Sequence, residues 1–130
     1  MTPQEWKYDM KVLLIDDEKE LVTTLSERME IRDIDSEWAT SGEQGLKMIQ
    51  DQAYDWVVLD LKMPGLSGYE AIQAIKAARP EARIILLTGH SAPEDLDRAL
   101  DMGADLYLVK PVDIDDLIAL MQGGGKQELS

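Results

Sequence analysis

Five short apolar runs punctuate the chain: Val12-Leu13-Leu14-Ile15, a weaker stretch from Ile34 to Ala39, Trp56-Val57-Val58-Leu59, Ile84-Ile85-Leu86-Leu87 and Leu106-Tyr107-Leu108-Val109. The first, third and fourth are continuously apolar rather than alternating. Strands of that kind are buried on both faces, as in a parallel sheet covered by helices. Segments of helical periodicity fill the gaps. Leu21, Val22, Leu25 and Met29 share one face of a helix predicted to begin near Glu18. Capping-box patterns at Ser41-Gly42-Glu43-Gln44, Ser67-Gly68-Tyr69-Glu70 and Ser91-Ala92-Pro93-Glu94 predict three more helix starts, the last with Pro93 in its first turn. Pro80 stops the third helix, and Asp113 caps a fifth that carries Ile114, Leu117, Ile118 and Met121. Such alternation of strand and helix predicts an α/β fold: a doubly wound, five-stranded parallel sheet with right-handed crossovers and five helices.

The 130 residues make one domain. The expected division is an N-terminal extension over 1–10, the domain over 11–122 and a flexible tail or linker over 123–130, which starts with Gly123-Gly124-Gly125. That tail reads equally as a natural end, a linker to an output domain, or a cloning remnant. No apolar run approaches membrane-spanning length and no secretory leader is visible, so the expectation is a cytoplasmic protein with no membrane partner. There is no cysteine, which removes disulfides, thiolate metal sites and cysteine nucleophiles, and a single histidine, His90, removes two-histidine zinc sites. Thirteen basic against twenty-six acidic residues leave a net charge of −13, so direct nucleic-acid binding is not expected.

Polar residues gather where the strands end. Asp16-Asp17 follows the first, Asp60 the third, Thr88 the fourth and Lys110 the fifth. Doubly wound sheets bind ligands outside the carboxyl ends of their strands, where strand order reverses. An order of 2-1-3-4-5 makes the first and third strands neighbours, so three carboxylates meet in one crevice bordered by Thr88 and Lys110. Two charges about 5 Å apart repel by roughly 3 kcal/mol at an effective dielectric near 20. One carboxylate must take up a proton, or a cation must sit among them. All-oxygen ligation favours Mg²⁺ or Mn²⁺. Carboxylate, metal, lysine and hydroxyl around one crevice suit phosphoryl transfer to a carboxylate. Each piece alone has a bland reading: an Asp-Asp pair as a solvated turn, a threonine as a strand-end cap, Lys-Pro as a loop.

The set Val12-Leu13-Leu14-Ile15-Asp16-Asp17-Glu18, Val58-Leu59-Asp60-Leu61-Lys62-Met63-Pro64-Gly65, Leu86-Leu87-Thr88-Gly89, Gly103-Ala104-Asp105 and Leu108-Val109-Lys110-Pro111 resembles the receiver domain of two-component response regulators. The resemblance spans about residues 10 to 122 and implies a flavodoxin-like fold. It implies that Asp60 is the phosphoacceptor, taking its phosphoryl group from a phosphohistidine on a sensor histidine kinase or phosphotransfer protein. Asp16, Asp17, Asp60 and the backbone carbonyl of Lys62 would hold the metal. Lys110 would pair with the phosphoryl group, Thr88 would hydrogen-bond it, and Tyr107 matches the aromatic switch position. Pro111 is expected after a cis peptide bond. His90 lies two residues past Thr88, at the rim, where it tunes access or is a plain surface histidine. Tyr107 also reads as a half-buried strand aromatic, the Lys62 side chain as leaning over the site or extending into solvent, and Trp38 and Trp56 as packing residues.

Between Glu94 and Asp116 lie eight acids (Glu94, Asp95, Asp97, Asp101, Asp105, Asp113, Asp115, Asp116) and two bases, Arg98 and Lys110. This stretch covers the fourth helix, fifth strand and fifth helix, the family's output face. Its basic half is thin, and Val112 stands where the family commonly has phenylalanine. A downstream protein with a basic surface fits better than a symmetric dimer; solvated helix faces are the plainer alternative. Two other classes compete with a switch that catalyses only its own phosphorylation and dephosphorylation. A haloacid-dehalogenase-type phosphatase wants Asp-x-Asp with its nucleophile at the first strand, which Asp16-Asp17 does not supply. A phosphorylation-independent binding module would keep the fold without using the site.

Overall fold

The computed structural model describes residues 10–63, 65–89 and 92–123. Five strands alternate with five helices: β1 (Lys11–Ile15), α1 (Lys19–Ile31), β2 (Asp35–Ala39), α2 (Gly42–Asp51), β3 (Trp56–Asp60), α3 (Gly68–Ala78), β4 (Arg83–Thr88), α4 (Pro93–Asp101), β5 (Leu106–Val109) and α5 (Ile114–Met121). The sheet order is β2-β1-β3-β4-β5 with every pairing parallel, the expected doubly wound arrangement. The continuously apolar runs became its central strands, because alternate side chains feed two separate cores. Leu13, Ile15, Val57, Leu59, Ile84 and Leu86 pack with residues of α2, α3 and α4. Val12, Leu14, Val58, Ile85 and Leu87 pack on the other face with residues of α1 and α5. The weak run yielded an edge strand in which only Ala39 is buried. Trp56 is buried and Trp38 half-buried against the second core, as packing residues; Arg83 stacks on the former ring at 4.4 Å.

Three of the five helix starts, those of α2, α3 and α5, carry side-chain caps. At α3, the Ser67 hydroxyl accepts from Glu70 N–H and the Glu70 carboxylate accepts from Ser67 N–H. Ser41 accepts from Gln44 N–H, but the Gln44 carboxamide reaches Thr40 N–H rather than that of Ser41. Asp113 accepts from the amides of Asp115 and Asp116 at α5. The capping box expected from Ser91 does not set the start of α4, whose N-cap is Ala92 with no side-chain bond. Pro93 takes the first helical position, which places a serine at 91 one residue too early. The Lys110–Pro111 peptide is cis, as expected.

Gly65 (φ 88°) supplies a backbone turn between β3 and α3 that other residues resist. Gly68 is needed for space: a Cβ there would lie 2.3 Å from the carbonyl oxygen of Leu61 and 2.7 Å from its Cδ1. Gly89 faces open space, with no atom within 4 Å of such a Cβ. Gly68→Ala should therefore destabilise the protein by about 1–3 kcal/mol, the range for overpacking. Gly89→Ala should stay within about 0.5 kcal/mol. Urea unfolding monitored by circular dichroism measures both.

Candidate functional site

The parallel register brings the chemistry-bearing residues to one sheet edge. Ile15 pairs with Leu59, Asp60 with Leu87, and Thr88 with Val109. The residues just beyond these pairs, Asp16 after β1 and Lys110 after β5, therefore lie at the same sheet edge as Asp60, with Thr88 of β4 between Asp60 and Lys110 in the strand order. Asp16, Asp17 and Asp60 each contribute a carboxylate oxygen to a group in which all lie within 4.8 Å of one another. Asp16 is fully buried, Asp60 and Thr88 are buried, and Asp17 is exposed. Backbone amides hold the two buried acids in place: Glu18 N–H donates to Asp16 Oδ1 at 2.9 Å, and Lys62 N–H donates to Asp60 Oδ1 at 3.1 Å.

Lys110 reaches into this cluster. Its Nζ lies 2.9 Å from Asp16 Oδ2, 2.7 Å from Glu18 Oε1 and 3.6 Å from Asp60 Oδ2. Burial raises the Asp16 pKa above its ordinary value, more than the Glu18 amide and Lys110 lower it. Burial also raises that of Asp60, which the Lys62 amide opposes and the neighbouring Asp16 reinforces. Burial works against the charge of Lys110, yet Glu18 and Asp16 outweigh it, so the ammonium holds its proton above the usual lysine range. A single ammonium thus contacts three carboxylates, with Asp17 a further acid in the cluster, and a deficit of positive charge remains.

A divalent cation fits that deficit. Asp16 Oδ2 is buried, and the contact it makes among the described residues is the ion pair with Lys110 at 2.9 Å. The donors are all oxygens, which suits a hard cation. Thr88 ends β4 beside this cluster. Tyr107 is 39% exposed on β5, and Val109, two residues on, is 56% exposed, so this side of the edge strand is open. The Lys62 side chain is exposed. His90 lies outside the described residues, as do residues 1–9 and 124–130 at the two ends.

Two features differ from the sequence expectations. Glu18 makes the shortest contact to Lys110, although its sequence position suggested only a helix start. The signal was an acid directly after the Asp pair, but which way its side chain turns depends on the entry into α1. The acidic stretch is also less uniform than its composition suggests. Asp105 turns inward, where its Oδ2 accepts from Ile84 N–H at 2.8 Å and pairs with Lys76 at 3.3 Å. Asp113 caps α5, and Asp115 pairs with Arg32 of α1 at 3.1 Å.

A family model described as the response regulator receiver domain matches residues 12–122. The photosynthetic apparatus regulatory protein RegA of Rhodobacter capsulatus is 36% identical over 118 residues, which is 91% of this chain and 64% of RegA. The cell cycle response regulator CtrA of Brucella abortus is 33% identical over 110 residues, 85% of this chain and 47% of CtrA. The chain thus spans roughly half to two-thirds of these curated relatives. Among solved structures, a Burkholderia pseudomallei response regulator with a phosphorylated aspartic acid, calcium ion and citrate superposes with a TM-score of 0.82 at 30% identity, covering 88% of this chain and 67% of that one. No helix among the described residues is long and apolar enough to cross a membrane. With its strand order, its acidic pocket and a family match over nearly its whole length, the chain belongs to the response regulator receiver domains of two-component signal transduction.

Proposed function

We propose that this receiver is a phosphorylation-operated switch whose phosphoacceptor is Asp60. The observation that carries the reading is the gathering of Asp16, Asp17 and Asp60 within 4.8 Å, with Lys110 reaching both buried acids. The donor is a phosphohistidine on a sensor histidine kinase or phosphotransfer protein. An Asp60 carboxylate oxygen attacks phosphorus, the P–N bond breaks, and the imidazole leaves with the bonding electron pair. Asp16, Asp17, Asp60 and the Lys62 carbonyl would hold Mg²⁺ or Mn²⁺. Such an ion supplies positive charge against the carboxylates and the phosphoryl oxygens.

The remaining roles belong to the chain's own residues. Burial of Asp60 strips water from the nucleophile, and the Lys62 amide fixes the direction of one of its oxygens. Lys110 neutralises charge on the transferred group, and the Thr88 hydroxyl donates a hydrogen bond to it. Tyr107, outward in this structure, exchanges between exposed and inward positions as Thr88 engages the phosphoryl group. That exchange alters the α4–β5–α5 surface, where Glu94, Asp97, Asp101 and Asp116 remain outward-facing for a downstream protein with a basic surface. The chain catalyses only its own phosphorylation and dephosphorylation, acts in the cytoplasm, and uses residues 11–122 as its working unit.

With Mg²⁺ and acetyl phosphate, mass spectrometry should find one acid-stable, alkali-labile phosphoryl adduct on Asp60, absent in Asp60→Asn. An intact protein without adduct would favour a phosphorylation-independent binding module. Lys110→Ala should slow adduct formation by about 100-fold, the scale for removing one electrostatic stabiliser from a transition state.

The raised pKa values of Asp16 and Asp60 carry a stability consequence. The folded chain binds these protons more tightly than the unfolded chain, whose carboxyls titrate near 3.8. Their contribution to metal-free stability should fall as pH rises from that value through the higher folded pKa. Asp60→Asn should remove part of the fall and raise the neutral-pH urea midpoint in chelator, and Mg²⁺ should raise that of the wild type.

A further inference from the structure

Glu18 has no part in the phosphoryl chemistry above, yet it holds the group on which that chemistry leans. Its carboxylate accepts a hydrogen bond from Lys110 Nζ at 2.7 Å across 92 residues of chain. The competing contacts are 2.9 Å to Asp16 and 3.6 Å to Asp60. The two partners differ in environment: the Glu18 side chain is 61% exposed, that of Lys110 only 19%. The pair therefore draws the ammonium toward the solvent side of the pocket. Glu18 is also free of other structural duty at this point, since its side chain makes no capping bond to α1. Its backbone amide is pinned to Asp16 Oδ1, which fixes where the carboxylate starts from.

We propose that Glu18 is a positioning residue that retains Lys110 in the unmodified receiver, so that a phosphoryl group on Asp60 must draw Lys110 away from it. The inference rests on the phosphoacceptor reading. The Lys110 ammonium lies 2.7 Å from Glu18 and 3.6 Å from Asp60, so closing fully on a group carried by Asp60 lengthens its bond to the exposed carboxylate. A phosphoryl group of charge near −2 wins that competition against a single carboxylate, with its affinity reduced by the strength of the pair it disrupts. Exposed ion pairs are weak, so the reduction is about two- to five-fold. Glu18 thereby biases the receiver toward its unmodified state without touching the phosphoryl group.

Beryllofluoride, formed from beryllium chloride and fluoride, mimics the phosphoryl group and tests this by ¹⁹F NMR titration at saturating Mg²⁺. Glu18→Gln should half-saturate at about two- to five-fold lower concentration than the wild type. Glu18→Asp keeps the charge but shortens the reach, and should recover at least half of that gain. Equal or weaker binding by Glu18→Gln would overturn the proposal. So would tighter binding by Glu18→Gln alongside wild-type behaviour of Glu18→Asp, since charge without reach would then account for the effect. A folded wild type that takes up no beryllofluoride would overturn the phosphoacceptor reading and this inference together.

Discussion

Carboxylates crowded into the low-dielectric end of a sheet repel one another, and this repulsion is the constraint around which the molecule is organised. Asp16 and Asp60 are held at neighbouring strand ends because β1 and β3 pair in parallel with Ile15 opposite Leu59. Neither acid can retreat, since each strand is packed on both faces. The two cores thus hold in place a charge arrangement that would disperse in an unfolded chain. Lys110 relieves part of the repulsion from β5, and backbone amides at Glu18 and Lys62 relieve more. What remains unneutralised is the capacity to accept further positive charge and, with it, an anionic group.

Most of this was legible in the sequence because the central strands obey a single rule. A strand buried on both sides must be apolar throughout, and Val57-Val58-Leu59 and Ile84-Ile85-Leu86-Leu87, alternating with helix-like segments, fit that environment. The first polar residue after each run then marks the strand's end, so Asp16, Asp60, Thr88 and Lys110 could be located without coordinates. The edge strand β2 was harder to place. Asp35-Ser36-Glu37-Trp38 is half in water and carries little pattern to read.

Side-chain direction was the other part that sequence reading missed. Asp105 looked like one more surface acid, but a free Ile84 amide and the Lys76 ammonium sit within reach and turn it inward. Glu18 looked like a helix start, and it is one, but the chain's path into α1 also aims it at Lys110, 92 residues away in sequence. Both depend on partners distant in sequence. The start of α4 failed for a local reason: Pro93 and Ser91 make competing claims on the helix register, and proline occupies the first helical position.

The inward turn of Asp105 bears on how finely Lys110 can be placed. β5 has only four residues, so about 13 Å of rigid strand separates the two. One end is clamped by Asp105 to the start of β4, and at the other Lys110 N–H bonds to the Thr88 carbonyl at 2.8 Å. Between these two anchors β5 pairs with β4 along its whole length, from Ile85 with Leu106 to Thr88 with Val109. The placement of Lys110 therefore depends on a strand anchored at both ends, and one anchor is a residue that touches none of the pocket's members.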